Sequence, residues 1–154
     1  MRRPIRLRRL LKWGLVAVAA VFLLIQAVPY GRDHTNPPGS NEPAWDSART
    51  RELARASCFD CHSNLTTWPW YSNVAPISWL TERDVKGGRE ELNFSDWSAF
   101  ADQSEDVVEA VAGGSMPPWF YAILHPKAKL SASERAELLH GLEKTLGVRA
   151  EVEG

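Results

Sequence analysis

A chain of 154 residues has room for one membrane segment plus one domain of about 125 residues, and a second globular domain does not fit. The formal charge of −1 conceals a split: Arg2, Arg3, Arg6, Arg8, Arg9 and Lys12 hold six of the eighteen basic residues, and all nineteen acidic ones follow Val28. Beyond that point twelve basic groups face nineteen acidic ones, a balance of −7, which argues against nucleic acid as a partner and favours a basic or polar protein surface.

The first expected element is a helix. From Leu10 to Val28 only Lys12 and Gln26 interrupt the apolar run, and at 1.5 Å per residue it spans roughly 28 Å, close to the hydrocarbon thickness of a bilayer. Residues 1–9 are expected as a basic cytoplasmic segment and residues 10–28 as a single-pass transmembrane anchor. The arginine flank then sends the rest to the periplasmic side of the cytoplasmic (inner) membrane. A cleavable signal has the same layout, but Gln26-Ala27-Val28-Pro29-Tyr30 is a poor cleavage site, and both readings export the domain. Residues 29–43 are rich in proline, glycine and small polar groups, a composition expected of a flexible tether, with His34 solvated within it.

The folded part is expected over residues 44–147, with a short tail at 148–154. Helix signals recur through it and strand-type alternation is scarce, so the fold class is expected to be all-α. Ala44–Ala56 places Trp45, Ala48, Leu53 and Ala56 on one side of a helical wheel and leads into the pair Cys58 and Cys61. A second helix is expected to start at Pro76 and stop at Gly87-Gly88, and a third to be capped by Ser104 and ended by Gly113-Gly114. The last is the clearest. Ser131-Ala132-Ser133-Glu134 has the capping-box form, Leu138, Leu139, Leu142 and Leu146 share a face, and Gly147 closes the helix. Gly141 borders that face, where it would allow close approach by another helix. His140 is expected toward solvent.

Cys58-Phe59-Asp60-Cys61-His62 has the Cys-x-x-Cys-His spacing of c-type haem attachment. Two thiols separated by two residues suit the two vinyl groups on one porphyrin edge, and the histidine that follows is held where a ring nitrogen can serve as proximal iron ligand. Three rival chemistries use similar residues. A thioredoxin-like redox pair needs a strand before it, and the stretch upstream looks helical. A zinc site needs further ligands from His34, His125 or His140, which lack paired spacing. A structural disulfide across two residues stabilises little and leaves His62 without a role.

For the opposite face of the iron, Gly113-Gly114-Ser115-Met116-Pro117-Pro118 offers a methionine in a loop freed by glycine and stiffened by proline. Met116 is the expected distal ligand, with His125 as the alternative. The aromatic stretch Thr66–Pro76 is expected to wrap the cofactor and to supply a backbone carbonyl that accepts the second ring N–H of His62.

Taken together, CFDCHSNLTTWPWYSNVAPISWL, LNFSDW, MPPWFYAILHPKAKLS and the final helix resemble the haem-binding domain family of cytochrome-c-like proteins, from about Trp45 to Leu146. The resemblance implies one covalent haem c on Cys58 and Cys61, His62 as ligand and Met116 in the place of the distal methionine. Asn64, Trp68, Trp70, Asn93 and Trp97 lie in the matching segments. The expected function is one-electron transfer through transient contacts with other redox proteins, not catalysis. A haem-based redox or gas sensor is the alternative, and a peroxidase would need an open iron site and a distal acid/base residue.

Overall fold

The computed structural model describes residues 3–39 and 41–150. Of the expected basic segment, residues 1 and 2 lie outside the described residues, as do residues 151–154 of the expected tail. The chain divides into two compact units, one formed by Met1–His34 with Pro69–Arg83 and the other by Thr35–Trp68 with Asp84–Gly154. Seven α-helices follow in order among the described residues: α1 (Arg3–Ile25), α2 (Ala48–Ser57), α3 (Phe59–His62), α4 (Ile77–Glu91), α5 (Ser104–Ala112), α6 (Trp119–Leu124) and α7 (Ala132–Leu146). Short 3-10 turns join several of them, and the nearest approach to a strand is one isolated bridge between Asn41 and Asp96. The all-α expectation holds.

In the first unit α1 ends three residues earlier than the apolar run. Gln26 is the reason. Its Nε2 donates to Phe22 O and Ala75 O at 3.0 and 2.9 Å, and its Oε1 accepts from Ala75 N at 3.0 Å, so the polar break in the sequence ties the chain down where the helix stops. This corrects the expected membrane-crossing helix over residues 10–28. Beyond Lys12 only Trp13–Ile25 are free of charge, about 20 Å of helix against about 30 Å of hydrocarbon. Among the described residues no helix is long and apolar enough to cross a membrane.

The stretch expected as a tether is irregular but tied by hydrogen bonds within each unit. His34 Nε2 lies 3.2 Å from Ser72 O in the first unit. In the second, Asn36 Nδ2 donates to Thr66 O at 3.0 Å and Asn41 N donates to Ser95 O at 2.8 Å. Polar side chains chosen for solubility also serve here as bridges between loops.

The second unit is built on α2, α5 and α7. Helix α2 begins at Ala48, later than expected, because Ser47 takes the N-cap and accepts from Thr50 N at 3.1 Å. Trp45 therefore precedes the helix, and its ring packs against Phe59 and Phe94 at 6.1 and 5.5 Å. Leu53, Phe59, Phe94, Val108, Leu138 and Leu142 are all buried and form the centre of the core. Ser104 lies inside α5 as its first residue, and its hydroxyl donates to Ala101 O, so it does not cap as expected. The capping box of α7 forms as read: Ser131 Oγ accepts from Glu134 N and Glu134 Oε2 accepts from Ser131 N. Gly147 ends that helix in the left-handed region. His140 is exposed, as expected.

Helices α2 and α7 cross at Gly141. A Cβ there would lie 2.1 Å from Thr50 Oγ1 and 2.6 Å from its Cγ2, closer than any real contact, and Thr50 is buried. Gly141→Ala is therefore expected to destabilise the domain by about 1–3 kcal/mol through overpacking, although alanine is the better helix former by about 1 kcal/mol. Urea denaturation of the two proteins reads the sign directly.

Candidate functional site

The Cys-x-x-Cys-His segment is one tight helical turn hung directly from α2. Cys58 N donates to Ala54 O, and both Cys61 N and His62 N turn back to Cys58 O, at 3.2 and 2.9 Å. That turn sets the faces. Cys58 and His62 are four positions apart and share a side, whereas Phe59 points the opposite way and is 1 % exposed in the core. The buried phenylalanine fixes the rotation of the whole segment, so its chemistry is oriented by packing.

Cys58, His62 and Met116 line one cleft of about 290 Å³, within the second unit. Leu92, Phe94, Val107, Ala110 and Val111 supply apolar wall, with Glu91, Gln103 and Asp106 as polar groups. Its volume is at the small end of the usual range for ligand pockets, roughly 300–1,000 Å³. Met116 is held at the cleft by Met116 N donating to Ala110 O at 3.2 Å, and Ser115 Oγ donates to the same carbonyl at 3.1 Å. Thus the end of α5 carries both apolar wall and the methionine loop.

Cys61 and His125 do not line the cleft. Cys61 packs under α4, where a Cβ on Gly88 would meet Cys61 O at 2.7 Å and Cys61 Cβ at 3.0 Å. This close approach explains why α4 runs straight through Gly87-Gly88 and does not stop there as expected: the second glycine is a contact surface for the attachment turn. His125 caps α6, its Nδ1 lies 3.1 Å from Tyr121 O, and its ring stacks on Tyr121 with centroids 4.0 Å apart.

The second ring nitrogen of His62 has its acceptors, but on a different element from the one expected. Nδ1 lies 2.8 Å from Gly88 O and 3.2 Å from Leu92 O, in the last turn of α4 and just beyond it, and not against Thr66–Pro76. The Gly88 carbonyl also accepts from Leu92 N at 2.9 Å and is shared by the imidazole, whereas Leu92 O lies just beyond the helix end, where carbonyls lack intrahelical partners. Two carbonyl acceptors require the proton on Nδ1, leaving Nε2 with the free lone pair. Burial lowers the His62 pKa, with the carbonyls of Leu92 and Gly88 opposing, and so favours the neutral ring that metal ligation uses.

The thiols behave differently from a redox pair. Burial pushes Cys58 up, and burial followed by Asp84 and Asp60 pushes Cys61 up to about 12. Catalytic thiols of thioredoxin type need the opposite shift. Both thiols are free, and among the described residues no group of three or more His, Cys, Asp or Glu side chains is arranged to hold a metal ion.

A family model described as "Haem-binding domain" matches residues 20–144. The chain belongs to the haem-binding domain family. No curated protein and no solved structure matches it. The donors at the cleft fit the cofactor of that family: an imidazole with Nε2 free, a thioether and a thiol on one partly apolar surface.

Neither the α4 carbonyls nor the valines of α5 were singled out from the sequence as site residues. Val107 and Val111 at helical spacing just ahead of the Met116 loop were the available signal for the wall. Gly88→Ala is expected to displace the attachment turn and to lower the yield of haem-loaded protein, while Gly87→Ala, where a Cβ meets nothing within 4 Å, leaves it near wild type. The ratio of haem absorbance to protein in the two purified variants checks this.

Proposed function

We propose that the domain carries one haem c joined by thioethers to Cys58 and Cys61, with His62 Nε2 as proximal and Met116 as distal iron ligand. Its role is that of a one-electron carrier and not a catalyst. The observation that carries the reading is that Cys58, His62 and Met116, 58 positions apart at their extremes, meet on one cleft. Bound haem supplies a one-electron couple at iron, which a soft neutral thioether shifts toward the reduced state. The chain does the rest. Carbonyls of Gly88 and Leu92 hold the imidazole proton at Nδ1, the Ala110 carbonyl holds the methionine loop, and apolar side chains keep water from the cleft.

The partners proposed are redox proteins that dock transiently, through basic or polar surfaces suited to the −7 balance beyond Val28. Helix α1 supports association with the cytoplasmic (inner) membrane, with the haem domain on the periplasmic side. Its Leu10, Leu11, Trp13, Leu15, Leu23 and Leu24 are exposed, and basic side chains precede them, as in export and anchoring segments.

A pyridine haemochrome assay on isolated membranes and on the soluble fraction, from cells able to mature c-type cytochromes, tests attachment and location together. A c-type spectrum in the membrane fraction, lost in Cys58→Ala/Cys61→Ala, is expected; extractable noncovalent haem would sink the covalent assignment. The oxidised protein should also show a weak near-infrared sulfur-to-iron band that disappears in Met116→Ala. If the reduced wild-type protein instead binds carbon monoxide rapidly, the sensor reading replaces electron transfer.

A further inference from the structure

Asp60, inside the attachment segment, makes contacts that haem attachment does not call for. Its Oδ2 accepts from the Tyr121 hydroxyl at 2.7 Å, its Oδ1 accepts from Thr67 N at 2.9 Å, and its carbonyl accepts from Thr66 Oγ1 at 2.8 Å. A carboxylate with both oxygens engaged is a fixed anchor. The tyrosine it holds belongs to α6, which begins three residues after Met116 and is joined to it only by Pro117 and Pro118.

On the other side of the loop, Tyr121 is braced by the His125 ring stacked on it at 20° between planes. Trp119, Phe120, Ile123 and Leu124 are all exposed, so the helix buries little apolar area of its own; Tyr121 and Ala122 are half-buried, and Tyr121 makes a hydrogen bond of 61-position span. Two prolines make the link between Met116 and α6 stiff, since each fixes one backbone dihedral. Motion of α6 is therefore passed to Met116 with little slack.

We propose that Tyr121 is a positioning residue: through Asp60 it latches the Met116 loop to the attachment turn, and it sets how readily the methionine side of the cleft opens. This rests on Met116 being the distal ligand, as proposed above. The latch joins the two halves of the ligand set by one charge-assisted hydrogen bond between side chains, independent of the iron. A phenylalanine at 121 keeps the ring and its stack on His125 and removes only the hydroxyl.

The test uses the full-length haem-loaded protein as wild type, Tyr121→Phe, Asp60→Ala, the double variant and Met116→Ala. Carbon monoxide association with the reduced protein and backbone amide exchange are measured on each. Loss of a hydrogen bond to a charged group should raise the association rate of Tyr121→Phe about tenfold. Exchange over residues 115–125 should rise with it, and exchange in α7 should not. In the Asp60→Ala background the same change should add nothing.

Unchanged rates in Tyr121→Phe, faster exchange without faster association, or an equal gain with Asp60 already removed would each overturn the latch. Should Asp60→Ala fail to mature, Tyr121→Phe alone decides it. Should Met116→Ala itself leave association and spectrum unchanged, the distal assignment fails, and the exchange of residues 115–125 in Tyr121→Phe judges the latch separately.

Discussion

The imidazole of His62 is held by the carbonyls of Gly88 and Leu92, and much of the second unit is arranged so that this contact can exist. It needs α4 to end against the attachment turn. That in turn needs a residue without a side chain at position 88, because Cys61 O occupies the space a Cβ would take. It also needs the turn to present His62 with Phe59 facing away. Burial of Phe59 against Phe94, with ring centroids 5.6 Å apart, supplies that orientation. The Phe94 N–H then closes the loop by donating to His62 O at 2.8 Å. The imidazole is thus set from both sides of its own residue, by a helix end at the ring and by the core at the backbone.

The five-residue segment divides its labour by position. Cys58 and His62 share the cleft face, Cys61 lies against α4, Phe59 anchors the core and Asp60 reaches α6. The two residues left variable by the attachment chemistry are the ones that connect the segment to the rest of the domain. Asn64 and Asn93 extend this on the polar side: Asn93 Nδ2 donates to Asn64 Oδ1 at 2.9 Å, and Asn93 Oδ1 accepts from Ser95 N at 2.9 Å. Their place in the segments that resemble the family is thereby accounted for by a hydrogen-bond bridge between the loop after His62 and the loop after α4.

What the sequence disclosed follows from the range of the forces involved. The capping box of α7, its Gly147 terminus and the leucine face are local in sequence, and all three stand as read. The Cys58–His62 spacing is local too. The family and its cofactor class were legible there and in the order of neighbouring segments, and the family model bears this out. Contacts between distant segments were not legible. Gly87-Gly88 reads as a helix stop by propensity, but tertiary contact with Cys61 overrides it. Gln26 reads as a tolerated polar break in an apolar run, yet it hydrogen-bonds a backbone 49 positions away. The acceptor for His62 is expected in the aromatic stretch nearest in sequence, and it lies at a helix end 26 positions on.

The crossing at Gly141 acts at a distance from the cleft. Helix α2 is packed against Gly141 there through Thr50 and gives way at Cys58 to the Cys58–His62 turn, about 10 Å further along its axis. A rigid rod gripped at one end transmits tilt to the other. The bearing of Cys58 therefore depends on a glycine that does not line the cleft. Residues that shape the cleft therefore extend to the far side of the bundle, beyond any shell drawn around its lining.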